Sequence, residues 1–169
     1  WRTSVGDVTD AGRWLVSAQG VDPAKLSIVG WSYGGYAALQ AGVLAPDLFK
    51  SIVAIAPVTD LAQMRQSALN DATAHLQRAF IGTGPHLTEG SPARNAAAIT
   101  APVLMFHGDQ DINVEINQSK LMDSALASAG KRHELIVYPG LDHQLDDSTV
   151  RADMLARSAA LLAASMGAP

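Results

Sequence analysis

The sequence predicts a parallel α/β sheet with helices on both faces. Three observations carry this. Four short apolar runs alternate with stretches of helical character, the order from which parallel sheets are built. The run Ser51 to Pro57 is almost continuously apolar, which suits a strand covered on both faces. The residues with most chemistry in them lie directly after the runs, where the carboxyl ends of parallel strands hold their sites.

Taken in order, Asp7 to Gln19 reads as an amphipathic helix. Val8, Ala11, Leu15 and Ala18 recur at spacings of three and four, and Gly20 follows as a stop signal. Asp22-Pro23 makes a turn, and Leu26-Ser27-Ile28-Val29-Gly30 is the first strand. Tyr36 to Ala45 returns to a helical pattern and ends before Pro46. Ser51 to Pro57 is the second strand. Asp60 to Phe80 is weakly helical, because Gln, Asn, Asp and Thr interrupt its apolar stripe. Ile81 to Ser91 reads as a loop, with Ser91 as N-cap of a short helix from Pro92 to Ala98. Pro102 to His107 is the third strand. Val114 to Ala129 follows as a helix with Gly130 as C-cap. Glu134 to Tyr138 is the fourth strand, ended by Pro139-Gly140, and Asp147 to Ala164 closes the chain as a long helix.

Composition removes several classes of function. With 169 residues, 48% hydrophobic and 17% charged, the chain has enough apolar material for one globular core. A net charge of −4 and scattered Lys and Arg argue against a nucleic-acid partner and against a polybasic membrane patch. No apolar run approaches the length of a membrane span. The absence of cysteine excludes a disulfide scaffold, a thiol nucleophile and a Cys-ligated zinc site. A Cys-free chain is compatible with the cytoplasm and with periplasmic or secreted compartments alike. The chain opens on Trp1-Arg2-Thr3 rather than Met, and reads as a piece of a longer protein.

Gly30-Trp31-Ser32-Tyr33-Gly34 matches G-x-S-x-G, with a strand running in and a helix running out. In this nucleophile elbow of the α/β-hydrolase type, Ser32 sits on a strained turn, and small neighbours are required to avoid clashes. The alternative is the glycine-rich turn of a dinucleotide fold, but that needs G-x-G-x-x-G, which is not what stands here.

An elbow of this kind takes its partners in the chain order Ser, then Asp or Glu, then His. His107-Gly108-Asp109-Gln110-Asp111 follows the third strand and Asp142-His143 follows the fourth, so the order is met. Of the five histidines, His75 and His86 precede the acid and read as surface residues. His133 opens a strand at the wrong end of the sheet, and His107 ends one, as a buried support for the acid loop. His143 alone stands in a loop at the right end and is the candidate base. Asp109 and Asp111 compete for the acid, while Asp142 is too close in sequence to the base. A metal centre is not indicated, since no H-E-x-x-H or similar spacing occurs, and the chemistry calls for no cofactor.

At these residues the chain resembles the catalytic domain of the prolyl oligopeptidase family of serine peptidases, notably its dipeptidyl-peptidase and acylaminoacyl-peptidase branches. The matching segments are Asp22-Pro23-Ala24-Lys25-Leu26, Gly30 to Tyr36, Ala56-Pro57-Val58, His107 to Val114 and Asp142-His143. The resemblance implies that residues 1–169 are the C-terminal portion of an α/β-hydrolase domain. About four strands are present, with the upstream strands and a propeller domain lying outside the chain. It implies Asp111, four positions after His107, as the acid, and a peptide as substrate. Val58, Leu61, Met64 and Val114 would line the pocket for the residue before the scissile bond, for which ordinary core packing is the competing reading. Asn113 would bind a substrate carbonyl. Leu61 and Met64 stand where proline-specific relatives carry aromatic residues, which speaks against strict proline specificity.

The mechanism implied is attack by Ser32, proton transfer through His143, and an acyl-enzyme hydrolysed by water. The Tyr33 N–H is one oxyanion donor, and the resemblance places the second upstream of this chain. Relatives are often dimers, so a homodimer is the assembly it suggests. Two other readings use the same residues. One is a carboxylic-ester hydrolase, and the other is a non-catalytic fragment or pseudo-hydrolase.

Overall fold

The computed structural model describes residues 1–67 and 74–167. Its four strands are β1 (Ile28–Trp31), β2 (Ile52–Ile55), β3 (Val103–Gly108) and β4 (His133–Tyr138). They pair in the order β1-β2-β3-β4, all parallel, as the alternation of apolar runs and helices predicts. Register follows burial. Ile28, Ile52, Val103 and His133 lie abreast at one end of the sheet, and Trp31, Ile55 and Phe106 toward the other.

Seven helices surround the sheet among the described residues: α1 (Arg2–Gln19), α2 (Tyr33–Leu44), α3 (Leu61–Ser67), α4 (Ala74–Ile81), α5 (His86–Glu89), α6 (Asn117–Ser128) and α7 (Ser148–Ser165). Two 3₁₀ segments, Pro23–Lys25 and Pro92–Ala98, complete the set. Alternate residues of each strand serve opposite faces, and the two cores divide accordingly. On one face Ile52, Ala54, Val103 and Met105 meet Ala38 and Leu39 of α2 and Met122 and Leu126 of α6. On the other, Val53, Ile55, Leu104 and Phe106 meet Leu145 and Met154, with Leu161 and Leu162 of α7 against them. Val29 of β1 is 52% exposed, because among the described residues α7 does not extend over that part of the sheet.

The element boundaries move from the sequence expectation for physical reasons. α1 starts at Arg2, five residues before Asp7, and ends as expected at Gly20, whose φ of 69° supplies the left-handed cap. β1 runs on to Trp31 and α2 starts at Tyr33, so one residue makes the whole turn between them. The Asp60–Phe80 stretch is two helices, α3 and α4, and its residues 68–73 lie outside the described set. The Ile81–Ser91 loop contains α5. Pro92–Ala98 is a 3₁₀ segment, and Ser91 does not cap it. Its hydroxyl accepts from the Leu61 N–H at 2.8 Å and donates to the Leu87 carbonyl at 2.6 Å. The Val114–Ala129 helix begins only at Asn117, since Val114 belongs to the loop after β3. Asp147 caps α7 by accepting the Val150 N–H at 2.9 Å.

Candidate active site

Ser32 is the single residue between β1 and α2, with φ 57° and ψ −119°. That conformation is sterically disfavoured for a residue with a Cβ and costs about 1–3 kcal/mol, to be offset by its surroundings. The surroundings are specific. The Ser32 N–H donates to the Ile55 carbonyl at 2.7 Å, and its own carbonyl accepts from Tyr36 N–H at 3.0 Å. A Cβ on Gly30 would overlap the Gly34 carbonyl. On Gly35 it would press on the Ile55 carbonyl and the Pro57 ring at 3.1 Å. Gly30 is therefore required by close approach of backbone to backbone, and Gly35 fits where a larger residue would force its neighbours to shift.

The loop after β3 carries Asp111, the candidate acid. The Asp111 side chain is fully buried. Its Oδ1 accepts the N–H groups of Asn113 and Val114, each at 2.9 Å. Its Oδ2 lies 2.6 Å from His143 Nδ1 and 3.2 Å from His107 Nε2. Burial alone pushes this carboxyl up. Hydrogen bonds from His107, the Val114 N–H and His143, together with the His143 charge, outweigh it and hold the group below its usual range. Asp109, the competing acid, is exposed and accepts the Gly140 N–H at 2.7 Å, so it shapes the turn after β4.

His143 stands in the loop after β4, its residue 9% exposed. Trp31 donates its indole N–H to the His143 carbonyl at 3.2 Å. Arg151 of α7 donates to the carbonyls of Leu145 and Gln144 at 3.1 and 3.0 Å. Leu145, wholly buried, holds the loop down in a positive-φ conformation (47°). Gly108 makes room on the other side, because a Cβ there would overlap the Leu141 carbonyl. The result places His143 Nε2 3.0 Å from Ser32 Oγ.

The hydrogen-bond network assigns the tautomer. With Nδ1 against an ionised carboxylate, the ring carries its proton there, and Nε2 presents a lone pair to the serine hydroxyl. This geometry can deprotonate Ser32 as it attacks an electrophilic carbonyl, and can return the proton to a leaving group. Tyr33 is the first residue of α2, so its N–H has no acceptor within the helix. It is free to donate to negative charge developing beside Ser32.

The structure brings Ser32, Asp111 and His143 together from three strand ends, as the chain order anticipates. His75 is exposed, and His133 pairs with Asp123 at 3.3 Å at the far end of the sheet. His86 is a correction, being half-buried with Nε2 donating to the Ile81 carbonyl at 2.6 Å. Two hollows open beside the elbow. One, of about 610 Å³, is lined by Trp31, Ser32, His143, Arg151 and Leu155 among others. The second, of about 390 Å³, lies on the Tyr33 side and is walled by Tyr33, Tyr36, Val58, Leu61, Met64 and Phe80 with their neighbours. Asn113 and Val114 stand on the acid loop, outside both walls. Asn113 is exposed, and Val114 is 4% exposed with its N–H on Asp111.

Sequence reasoning missed the supports that cross long stretches of chain. Trp31 reaches His143 and Arg151 reaches the same loop. The fully buried Gln118 of α6 accepts the N–H groups of Thr59 and Asp60 at 2.7 and 2.8 Å, tying the loop before α3 to the helix after the acid.

Fold and site together place the molecule among the α/β-hydrolases. Within that class the chain belongs to the prolyl oligopeptidase family, whose sequence pattern matches residues 2–168. It is 34% identical over 129 residues to a probable dipeptidyl-aminopeptidase B of Metarhizium robertsii, covering 74% of this chain and 14% of that protein. To dipeptidyl peptidase family member 1 of Caenorhabditis elegans it is 30% identical over 131 residues, covering 76% and 15%. Among solved structures it is similar to a puromycin-hydrolyzing peptidase of Mycobacterium tuberculosis, with TM-score 0.87 and 27% identity, over 96% of this chain and 25% of that one. The chain thus spans about a sixth of the curated relatives it matches, or less. No described helix is long and apolar enough to cross a membrane.

Proposed function

We propose that this chain carries the reaction centre of a serine peptidase that hydrolyses peptide bonds of short peptides through an acyl-enzyme on Ser32. The observation that carries the reading is the unbroken line from Ser32 Oγ through His143 to Asp111, at 3.0 and 2.6 Å. Ser32 attacks the substrate carbonyl while His143 takes its proton. The Tyr33 N–H supports the oxyanion. His143 then protonates the leaving amine, and water, activated by the same histidine, releases the acyl group. Membership of a peptidase family and similarity to named dipeptidyl peptidases support peptides as the substrate class.

The hollow beside Tyr33 is the proposed pocket for the residue that donates the carbonyl, with Val58, Leu61 and Met64 in its wall. Leu61 and Met64 stand in its wall beside Tyr33, Tyr36 and Phe80, so the pocket suits an apolar side chain. Asn113, exposed on the acid loop, is proposed to bind a substrate backbone carbonyl.

The test compares hydrolysis of an aminoacyl-naphthylamide and a short-chain nitrophenyl ester by the full-length protein and its Ser32→Ala variant. The reading expects amide turnover that vanishes in the variant. Ester turnover without amide turnover would instead identify a carboxylic-ester hydrolase, and activity surviving Ser32→Ala would remove Ser32 from the reaction.

A further inference from the structure

His107 is wholly buried, and both of its ring nitrogens are engaged. Nε2 lies 2.8 Å from the Val114 carbonyl and 3.2 Å from Asp111 Oδ2. Both of those partners accept only, so Nε2 carries a proton and shares it between them. Nδ1 lies 2.7 Å from the hydroxyl of Ser119, itself fully buried on α6. A hydroxyl can donate where a carbonyl cannot. In the ring form with its single proton on Nε2, toward Asp111, Nδ1 accepts from the Ser119 hydroxyl.

The accounting at Asp111 then closes. A carboxylate offers about four lone-pair sites. Oδ1 accepts two backbone N–H groups, Oδ2 accepts the His143 Nδ1–H, and the His107 Nε2–H, hydrogen-bonded to the Val114 carbonyl at 2.8 Å, stands 3.2 Å from Oδ2 as the fourth contact. The backbone pair fixes one oxygen only. Without His107 the second oxygen would be held by His143 alone, which is the ring whose orientation Asp111 is there to set.

We propose that His107 is a positioning residue of the reaction centre. Its Nε2–H holds Asp111 Oδ2 in the place that aims His143 at Ser32, and the Ser119 hydroxyl anchors the opposite edge of the ring. The proposal rests on the reading of Asp111 and His143 as acid and base. His107 touches no substrate, and its effect passes through Asp111.

The experiment uses the full-length protein and the variants His107→Gln, His107→Leu and Ser119→Ala, with kcat, KM and melting temperature measured for each. A glutamine amide reaches toward the position of Nε2 and restores a donor, whereas leucine fills the space without one. In His107→Leu we expect kcat to fall about 10- to 100-fold with KM nearly unchanged, the scale on which a misplaced catalytic group is felt. His107→Gln is expected to recover most of that loss, although both variants lose thermal stability. Ser119→Ala, which removes the hydrogen bond at Nδ1 and loosens the ring, is expected to lower kcat by about threefold or more.

Equal kcat in His107→Leu and His107→Gln, or losses that track melting temperature alone, would overturn the proposal and leave His107 a structural link between β3 and α6. Should His107→Leu not fold, His107→Met serves as the donor-free variant, and a kcat equal to that of His107→Gln would overturn it equally. A fluorophosphonate probe run alongside separates the two levels. Unlabelled wild-type protein defeats the reading on which the proposal rests. Labelled wild-type protein with unaffected variants defeats this inference alone.

Discussion

Replacing Asp111 by asparagine is nearly isosteric, and the structure says which way the new amide must face. Oδ1 accepts two backbone N–H groups at 2.9 Å, so only the amide oxygen can occupy that position. The NH₂ group then falls where Oδ2 was, 2.6 Å from His143 Nδ1 and 3.2 Å from His107 Nε2. A donor facing donors is untenable in a buried site. His143 relieves the conflict by moving its proton to Nε2, which turns Nδ1 into an acceptor. Nε2 then points a proton at Ser32 Oγ, 3.0 Å away, and cannot act as base. The corresponding wrong-tautomer change in a serine protease costs about 10⁴ in kcat, or about 5.4 kcal/mol at 1.36 kcal/mol per decade. The assay is steady-state hydrolysis of an aminoacyl-naphthylamide by full-length Asp111→Asn protein, with its fold checked by melting temperature. A loss of less than about tenfold in a folded variant would refute both the assignment of the acid and the tautomer argument.

Two further outcomes follow from the same loops. Gly108→Ala sets a Cβ against the Leu141 and Asp142 carbonyls, which are backbone and cannot rotate away. It is expected to destabilise by about 3 kcal/mol in urea unfolding and to reduce kcat by displacing the loop that carries His143. Asp111 also links stability to pH. Its folded pKa lies below the ordinary value of 3.8, so its contribution is complete above that value and is lost as pH falls through the lower folded one. Acid titration of unfolding free energy should therefore be steeper below pH 3.8 in wild type than in Asp111→Asn, and identical slopes would contradict the ionised, hydrogen-bonded carboxylate.

What could be read from the sequence was what local pattern encodes. Apolar runs located the four described strands, most plainly β2 and β3, which are buried along their whole length and so need continuous hydrophobicity, whereas β1 and β4 are only partly buried. Ser32 and His143 were legible because each follows a strand end in a required order, which left Asp109 and Asp111 open until the family resemblance selected Asp111. Boundaries were less so. The first turn of α2 is hidden by Gly34-Gly35, whose helix propensity is poor but whose missing side chains permit the elbow. Val114 has the apolar character of a helix start, yet its N–H serves Asp111, so α6 begins three residues later. Ser91 carries the sequence mark of a cap and acts as a tertiary bridge. The Trp31 indole on His143 and the pairing of Ser119 with His107 join residues through tertiary contact, and no periodicity foretells them.

The central claim is that Ser32 is a nucleophile activated by His143. Its most direct test is the intact mass of the full-length protein after exposure to a fluorophosphonate, with the adduct mapped by peptide digestion. A single adduct is expected at Ser32, on the peptide that contains Gly30 to Tyr36, absent in Ser32→Ala and slowed by orders of magnitude in His143→Ala. An unlabelled wild-type protein, or an adduct on another residue that survives Ser32→Ala, would contradict it.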